Sequence, residues 1–165
     1  MNNQTLVSIE DTNFIWTTNF SGDPERDNYG SSARKANIII PDAELAEALI
    51  DEGFNVKMTR PMDGDEVVFV PKYFVNINVN YDSKWPPRIY LVSGDNEPVL
   101  LDEQSVGMLD QISVENVNVV LNKYYNDRVG RRSFYVKTMY VEQGLDDDPF
   151  ASRYARRGSR FDPAD

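Results

Sequence analysis

From Val68 to Tyr81 apolar and polar positions alternate with a period of two. Phe69, Tyr73, Val75, Ile77, Val79 and Tyr81 fall on one side, and Lys72, Phe74, Asn76, Asn78 and Asn80 on the other. A strand sends successive side chains to opposite faces. The first set therefore predicts a core-facing surface, and the second an outer face with a cation, an aromatic ring and a row of carboxamides. The same period returns at Phe54–Arg60, where Phe54, Val56 and Met58 alternate with Asn55, Lys57 and Thr59, and at Arg88–Val92, where Ile89 and Leu91 alternate with Arg88 and Tyr90. At Val114–Asn122, Glu115, Val117, Val119 and Leu121 oppose Asn116, Asn118 and Asn122; at Ser133–Val141, Phe134 and Tyr140 interleave with Tyr135 and Lys137. The polar faces are rich in Asn, Lys, Arg and Tyr and poor in carboxylate, which suggests a binding surface.

Between these strands the punctuation is clear. A further strand is expected at Asn13–Phe20, preceded by a loose N-terminal segment of about a dozen residues. Ile38, Ile39 and Ile40 read as a buried strand ended by Pro41. Asp42–Glu52 is the best helix, with Asp42 as N-cap, Leu45 and Leu49 one turn apart, and Gly53 as the stop. Its outer face carries Glu44, Glu47 and Asp51. A shorter helix is expected around Asp102–Asp110 on the stripe of Val106 and Leu109, with turns at Pro61–Asp65 and Asp82–Pro87. The long stretch Ser21–Arg34, with Gly22, Pro24 and Gly30, reads as a loop carrying Arg26, Tyr29 and Arg34, with Lys35 just beyond. It is either a flap over a ligand or a solvated insertion.

Strands that do not alternate regularly with helices argue against a doubly wound fold. The expected class is mainly β with minor α: an OB-fold-like barrel of five to six strands with one or two short helices. The helices rank it above an immunoglobulin-like sandwich. The 165 residues are enough for one domain with its own core. Residues 1–145 are expected to form it, with 146–165 as a flexible acidic and Arg-rich tail.

Composition then narrows the chemistry. The chain has no cysteine and no histidine. It therefore has no disulfide, no thiolate nucleophile, and neither the commonest metal ligand nor the commonest general base near neutral pH. No cofactor and no enzymatic activity are expected. No apolar run approaches a membrane span, and the start lacks a signal-peptide pattern, so a cytoplasmic protein without a membrane partner is expected. The net charge is -10, but the 27 carboxylates concentrate in the first helix, in turns and at Asp146–Asp148. The strands are left nearly free of them, and net charge describes the whole surface rather than a site.

Several stretches together resemble a family of small tailed-phage single-stranded-DNA-binding proteins with an OB-fold. They are Gly53-Phe54-Asn55-Val56-Lys57, Pro86-Pro87-Arg88-Ile89, the run from Leu101 to Asp110 followed by Glu115-Asn116-Val117, and Tyr135-Val136-Lys137-Thr138-Met139-Tyr140-Val141. They spread over most of positions 14 to 154, and their order and spacing carry the resemblance. It implies cations at Lys57, Arg88 and Lys137, which all fall on polar faces, and a role in phage DNA replication or recombination in the infected host cell. The tract Gly130-Arg131-Arg132-Ser133 is more basic than the neutral turn of that pattern.

Single-strand binders join a positive groove for phosphates to aromatic rings on which bases stack. The candidate groove is Lys57, Lys72, Arg88, Arg131, Arg132 and Lys137, with Arg34 from the loop. The candidate platform is Phe74, Trp85, Tyr90, Tyr124 and Tyr135. Phe74 leads because its neighbours on that face are polar, whereas Trp16 is assigned to the core. For each ring, ordinary packing is the competing explanation. Leu145-Asp146-Asp147-Asp148-Pro149-Phe150 looks like the acidic tip with which bacterial single-strand-binding proteins recruit replication partners. The Arg-rich run Arg153, Arg156, Arg157 and Arg160 follows it. The tail either competes with DNA or recruits replication or recombination proteins such as a polymerase or nuclease, or is plainly solvated. The alternative for the whole chain is a virion-associated or protein-interaction β-domain; a DNA-mimicking inhibitor and a metal-dependent nuclease rank below it.

Overall fold

The computed structural model describes residues 5–59, 71–126 and 128–144. The strands are β1 (Leu6–Thr12), β2 (Phe14–Asn19), β3 (Arg34–Ile40), β4 (Lys57–Met58), β5 (Tyr73–Val79), β6 (Arg88–Val92), β7 (Val99–Leu101), β8 (Val114–Asn126) and β9 (Arg131–Gln143), with one α-helix, α1 (Ala43–Asp51). Val68 and Phe69, the turn expected at Pro61–Asp65 and the expected tail lie outside the described residues.

β1 pairs with β8, β8 with β9, β9 in parallel with β5, β5 with β3, and β3 with β2. Only Asn13 separates β1 from β2, so the path returns to its start. Counting β1 and β2 as one bent strand, the sheet closes into an OB-like ring of five. The bend is chemically defined. Asp11 has φ 50, its amide donates to Asn118 Oδ1 at 2.9 Å, and Asn13 Nδ2 donates to the Val114 carbonyl at 2.9 Å. On the other side Thr12 Oγ1 donates to the Ile39 carbonyl at 2.6 Å, and the Ile39 amide donates to the Asn13 carbonyl at 3.1 Å. Pairing thus passes from β8 to β3 within two residues, and closure removes the exposed edges of an open sheet.

The mainly β barrel is as expected, but several elements differ. The N-terminal segment expected to be loose is β1, whose Val7 and Ile9 enter the core. Of the strand expected at Phe54–Arg60, only Lys57–Met58 forms a strand pair among the described residues, and Met58, expected inward, is exposed. Phe54 does turn inward, stacking on Phe134 at 4.4 Å. The expected second helix is a 3-10 turn, Val106–Asp110. Asp102 accepts from the amides of Gln104 and Ser105 at 3.0 and 2.9 Å, a local turn that competes with helix formation. Val106 and Leu109 are buried nonetheless. The β6–β7 pair docks on the ring through the parallel β6–β9 ladder.

Inside the ring, Ile38, Ile77, Ile89, Leu121 and Met139 are fully buried, with Phe20, Phe134 and Val141 around them. α1 starts where expected: Asp42 Oδ1 accepts from the amides of Glu44 and Leu45 at 3.0 and 3.4 Å. It adds Ala46 and Leu49 to the core. At its C-terminal end, Gly53 adopts φ +94, and two cations converge on Glu52. Lys123 Nζ pairs with its carboxylate at 2.8 Å, and Arg132 Nη1 donates to its carbonyl. Cations there complement the partial negative charge of the helix end.

The long loop is tied down at both ends. The side chain of Asp110, fully buried, accepts from Thr18 Oγ1 and the amides of Phe20 and Ser21 at 2.7, 2.8 and 2.9 Å, with Arg26 Nε at 3.5 Å. Asp27 accepts from the amides of Tyr29 and Ser31 and pairs with Lys35 Nζ at 2.7 Å. These donors hold its carboxyl down at about 2, the Lys35 contact contributing most.

Candidate nucleic-acid interface

The outer surface of β5, β8 and β9 carries two clefts that merge. Lys57, Asn76, Asn78, Arg131 and Arg132 line the first; Trp85, Arg88, Asn122 and Lys137 line the second. Tyr124 and Tyr135 line both, their rings edge to face at 5.6 Å. Among the described residues, the lining of neither cleft contains an Asp or Glu, in a chain with 27 of them. Lys57, Arg88, Arg131 and Lys137 are all exposed and have no ion-pair partner among the described residues.

A bulge creates the basic edge. Val120 sits opposite Thr138 and Leu121 opposite Val136, so Lys137 is an extra residue in β9. On its N-terminal side Phe134 and Val136 face the core; beyond it Met139 and Val141 do. The phase of alternation shifts by one at the bulge, so Lys137 and Thr138 both lie outside, next to Arg88, which pairs with Thr138. The shift also corrects the expected pairing of Phe134 with Tyr140. Phe134 is buried, whereas Tyr140 is exposed and stacks on Tyr90 at 4.8 Å and 10°.

The predicted site residues divide accordingly. Lys57, Trp85, Arg88, Tyr124, Arg131, Arg132, Tyr135 and Lys137 come together in the merged cleft. Arg132 is partly committed, its guanidinium lying 4.8 Å over the Tyr125 ring while bonding the end of α1. Tyr90 lies further along the same outer face, outside both clefts, in its stack with Tyr140. Arg34 is turned away. Nη1 donates to the Phe20 carbonyl at 2.6 Å, Nη2 lies 3.9 Å from Glu103, and the guanidinium covers the Tyr81 ring at 5.5 Å. Lys72 is exposed but outside the clefts, at the corner where its amide bonds Thr59 Oγ1.

Phe74 and Trp16 both differ in exposure from what is expected of them. Phe74 is on the outer face, as its strand parity requires, but only 8% exposed, because the Trp16 ring packs against it at 6.4 Å and 73°. It is no open stacking surface. Trp16, assigned to the core from the sequence, is 65% exposed and has φ 65, a left-handed conformation rare for a bulky residue. Periodicity carries no signal for that conformation. Lys123, also unpredicted, has a side chain only 3% exposed, spent on Glu52.

An OB-like barrel with exposed cations and paired tyrosines on its outer face, and no acid among the described residues of its clefts, has the build of an oligonucleotide-binding domain. Consistent with that build, residues 2–159 match the model of the family described as "Putative phage ssDNA-binding domain", and the chain belongs to this family. Among solved structures it is similar to the crystal structure of gp2.5, a single-stranded DNA binding protein encoded by bacteriophage T7. The identity is 12%, the match covers 89% of this chain and 93% of that one, and the TM-score is 0.37. No curated protein sequence matches the chain. Among the described residues no helix is long and apolar enough to cross a membrane.

Proposed function

We propose that the chain binds single-stranded DNA along the merged cleft, with little sequence preference, during phage DNA replication or recombination in the host cytoplasm. The observation that carries this reading is the cleft itself: eight sequence-nominated cations and rings gathered on one surface of an acidic protein, with no carboxylate among its described lining residues. Lys57, Arg88, Arg131 and Lys137 would contact phosphates, which are alike in every sequence. Tyr124, Tyr135 and Trp85 would stack on bases, and every base has a stacking face. Duplex DNA keeps its bases stacked on one another and offers no such partner. Family membership supports the same reading, and the acidic tail would recruit replication or recombination proteins.

The test is fluorescence anisotropy with labelled single- and double-stranded oligonucleotides of the same sequence across a salt series. Each neutralised phosphate on a single strand contributes about -0.7 to the slope of log K against log salt, so the four exposed cations predict about -3. Preference for the duplex, or an affinity indifferent to salt, would overturn the proposal, and failure to bind any oligonucleotide at low salt would favour a protein-interaction domain.

A further inference from the structure

We propose that Trp16 is a base-stacking station at the β2–β3–β5 end of the path of the single strand, with Trp85 as its counterpart at the other end. The inference rests on the single-strand-binding reading above and extends it to a residue that neither the sequence pattern nor the clefts single out.

Three observations converge on it. Trp16 is the larger ring of an outer-face pair and leaves 65% of its surface to solvent, whereas a tryptophan recruited for packing is largely buried. It holds this position at φ 65, where a residue with a side chain pays a conformational cost that glycine would not. Such a cost persists where the surrounding structure imposes it, and it concentrates at ligand-contacting positions. The third observation is its neighbourhood. Phe74, against which the indole rests, is the register partner of Lys57 on one side and of Ile39 on the other. Trp16 therefore reaches from β2 across β3 to β5, beside the cation that opens the first cleft.

The geometry suits a base. The Phe74 ring meets the indole at 73°, so the two rings are not stacked face to face and Phe74 supports the indole without occupying it as a stacked partner would. A strand whose phosphate lies on Lys57 brings its next base toward that ring. From there the cleft continues past Tyr135 and Tyr124 to Arg88, Lys137 and Trp85, itself 80% exposed. Aromatic rings at both ends with cations between them define one continuous track.

The chain has only two tryptophans, so each end carries its own reporter. In the Trp85→Phe protein all indole emission comes from Trp16. Oligothymidylate is titrated in while occupancy is followed independently by anisotropy of a label on the DNA. The expected result is quenching of Trp16 in step with occupancy and protection from acrylamide. Substituting Trp16→Leu should lower affinity by roughly 5- to 150-fold, the loss of one stacked base. Full occupancy with unmoved, acrylamide-accessible Trp16 emission overturns the inference and leaves the binding reading standing. No binding by the unsubstituted protein sinks both. Because Trp16 also covers Phe74, Trp16→Leu could lower stability; the Trp85→Phe titration decides the question without altering that contact.

Discussion

At the scale of single residues, the outer face separates orientation from availability. Phe74 obeys the strand period and is nonetheless covered, so Phe74→Ala should act as a packing mutation. A loss of about 3 kcal/mol is expected from the usual cost of deleting a buried phenyl ring, read as a fall in the urea midpoint with an unchanged slope. A variant of full stability with weakened DNA binding would show that the ring is a contact after all. Tyr81 presents the opposite case. Its ring packs against the core beneath Arg34, but its hydroxyl is buried with no hydrogen-bond partner among the described residues. Burial also raises its pKa, outweighing the neighbouring guanidinium. An unpaired buried hydroxyl costs about 1–3 kcal/mol, so Tyr81→Phe should stabilise the fold by about 1 kcal/mol. A lower unfolding midpoint in that variant would reveal a partner for the hydroxyl.

Among the elements, the loop between β2 and β3 is the one most dependent on charge. Asp27 holds it through two amides and Lys35, and Lys35 is the register neighbour of Asn78, at the rim of the first cleft. The folded pKa of Asp27, about 2, lies below its ordinary value of 3.8. A depressed carboxylate contributes stability that is fully present above the unfolded pKa and is lost as pH falls through the folded one. The Asp27 clamp should accordingly persist at neutral pH and weaken between about pH 4 and 2. Carboxyl-carbon NMR titration of Asp27 is the measurement; a midpoint near 4 would mean that the clamp is absent in solution. In the Asp27→Asn protein the amides of Tyr29 and Ser31 should exchange faster, with the β3–β5 ladder unchanged.

For the whole molecule, closure is the organising fact. Every strand of the ring lies between Leu6 and Gln143, and the last described contact, the Gly144 amide on the Ser113 carbonyl at 2.8 Å, completes the end of β9. Truncation after Gly144 should leave a folded domain with the same thermal midpoint that still binds single strands. Truncation before Asn13 should not, since it removes β1 and opens the ring between β8 and β3. Unfolding of the first protein would place part of the core beyond Gly144. A folded second protein would mean that the ring does not depend on β1.

Much of this architecture was legible in the sequence because a two-residue period leaves a direct trace where one face of a strand is buried. Val75, Ile77 and Val79 against Asn76 and Asn78, and Asp42 before its helix, required no knowledge of neighbours. β1 had a trace too, in Val7 and Ile9 against Ser8 and Glu10, but a short one. The family resemblance and the cations Lys57, Arg88 and Lys137 were likewise readable. Other features arise only when strands meet. The bulge at Lys137 exists relative to β8, Arg34 is turned inward by Phe20, Tyr81 and Glu103, and Phe74 is covered by a ring 58 positions earlier in the chain. The sequence alone determined which faces are polar and where positive charge can gather. The tertiary structure decided which of those side chains remain open to a ligand, because exposure depends on what packs across from a residue, and local periodicity holds no record of that.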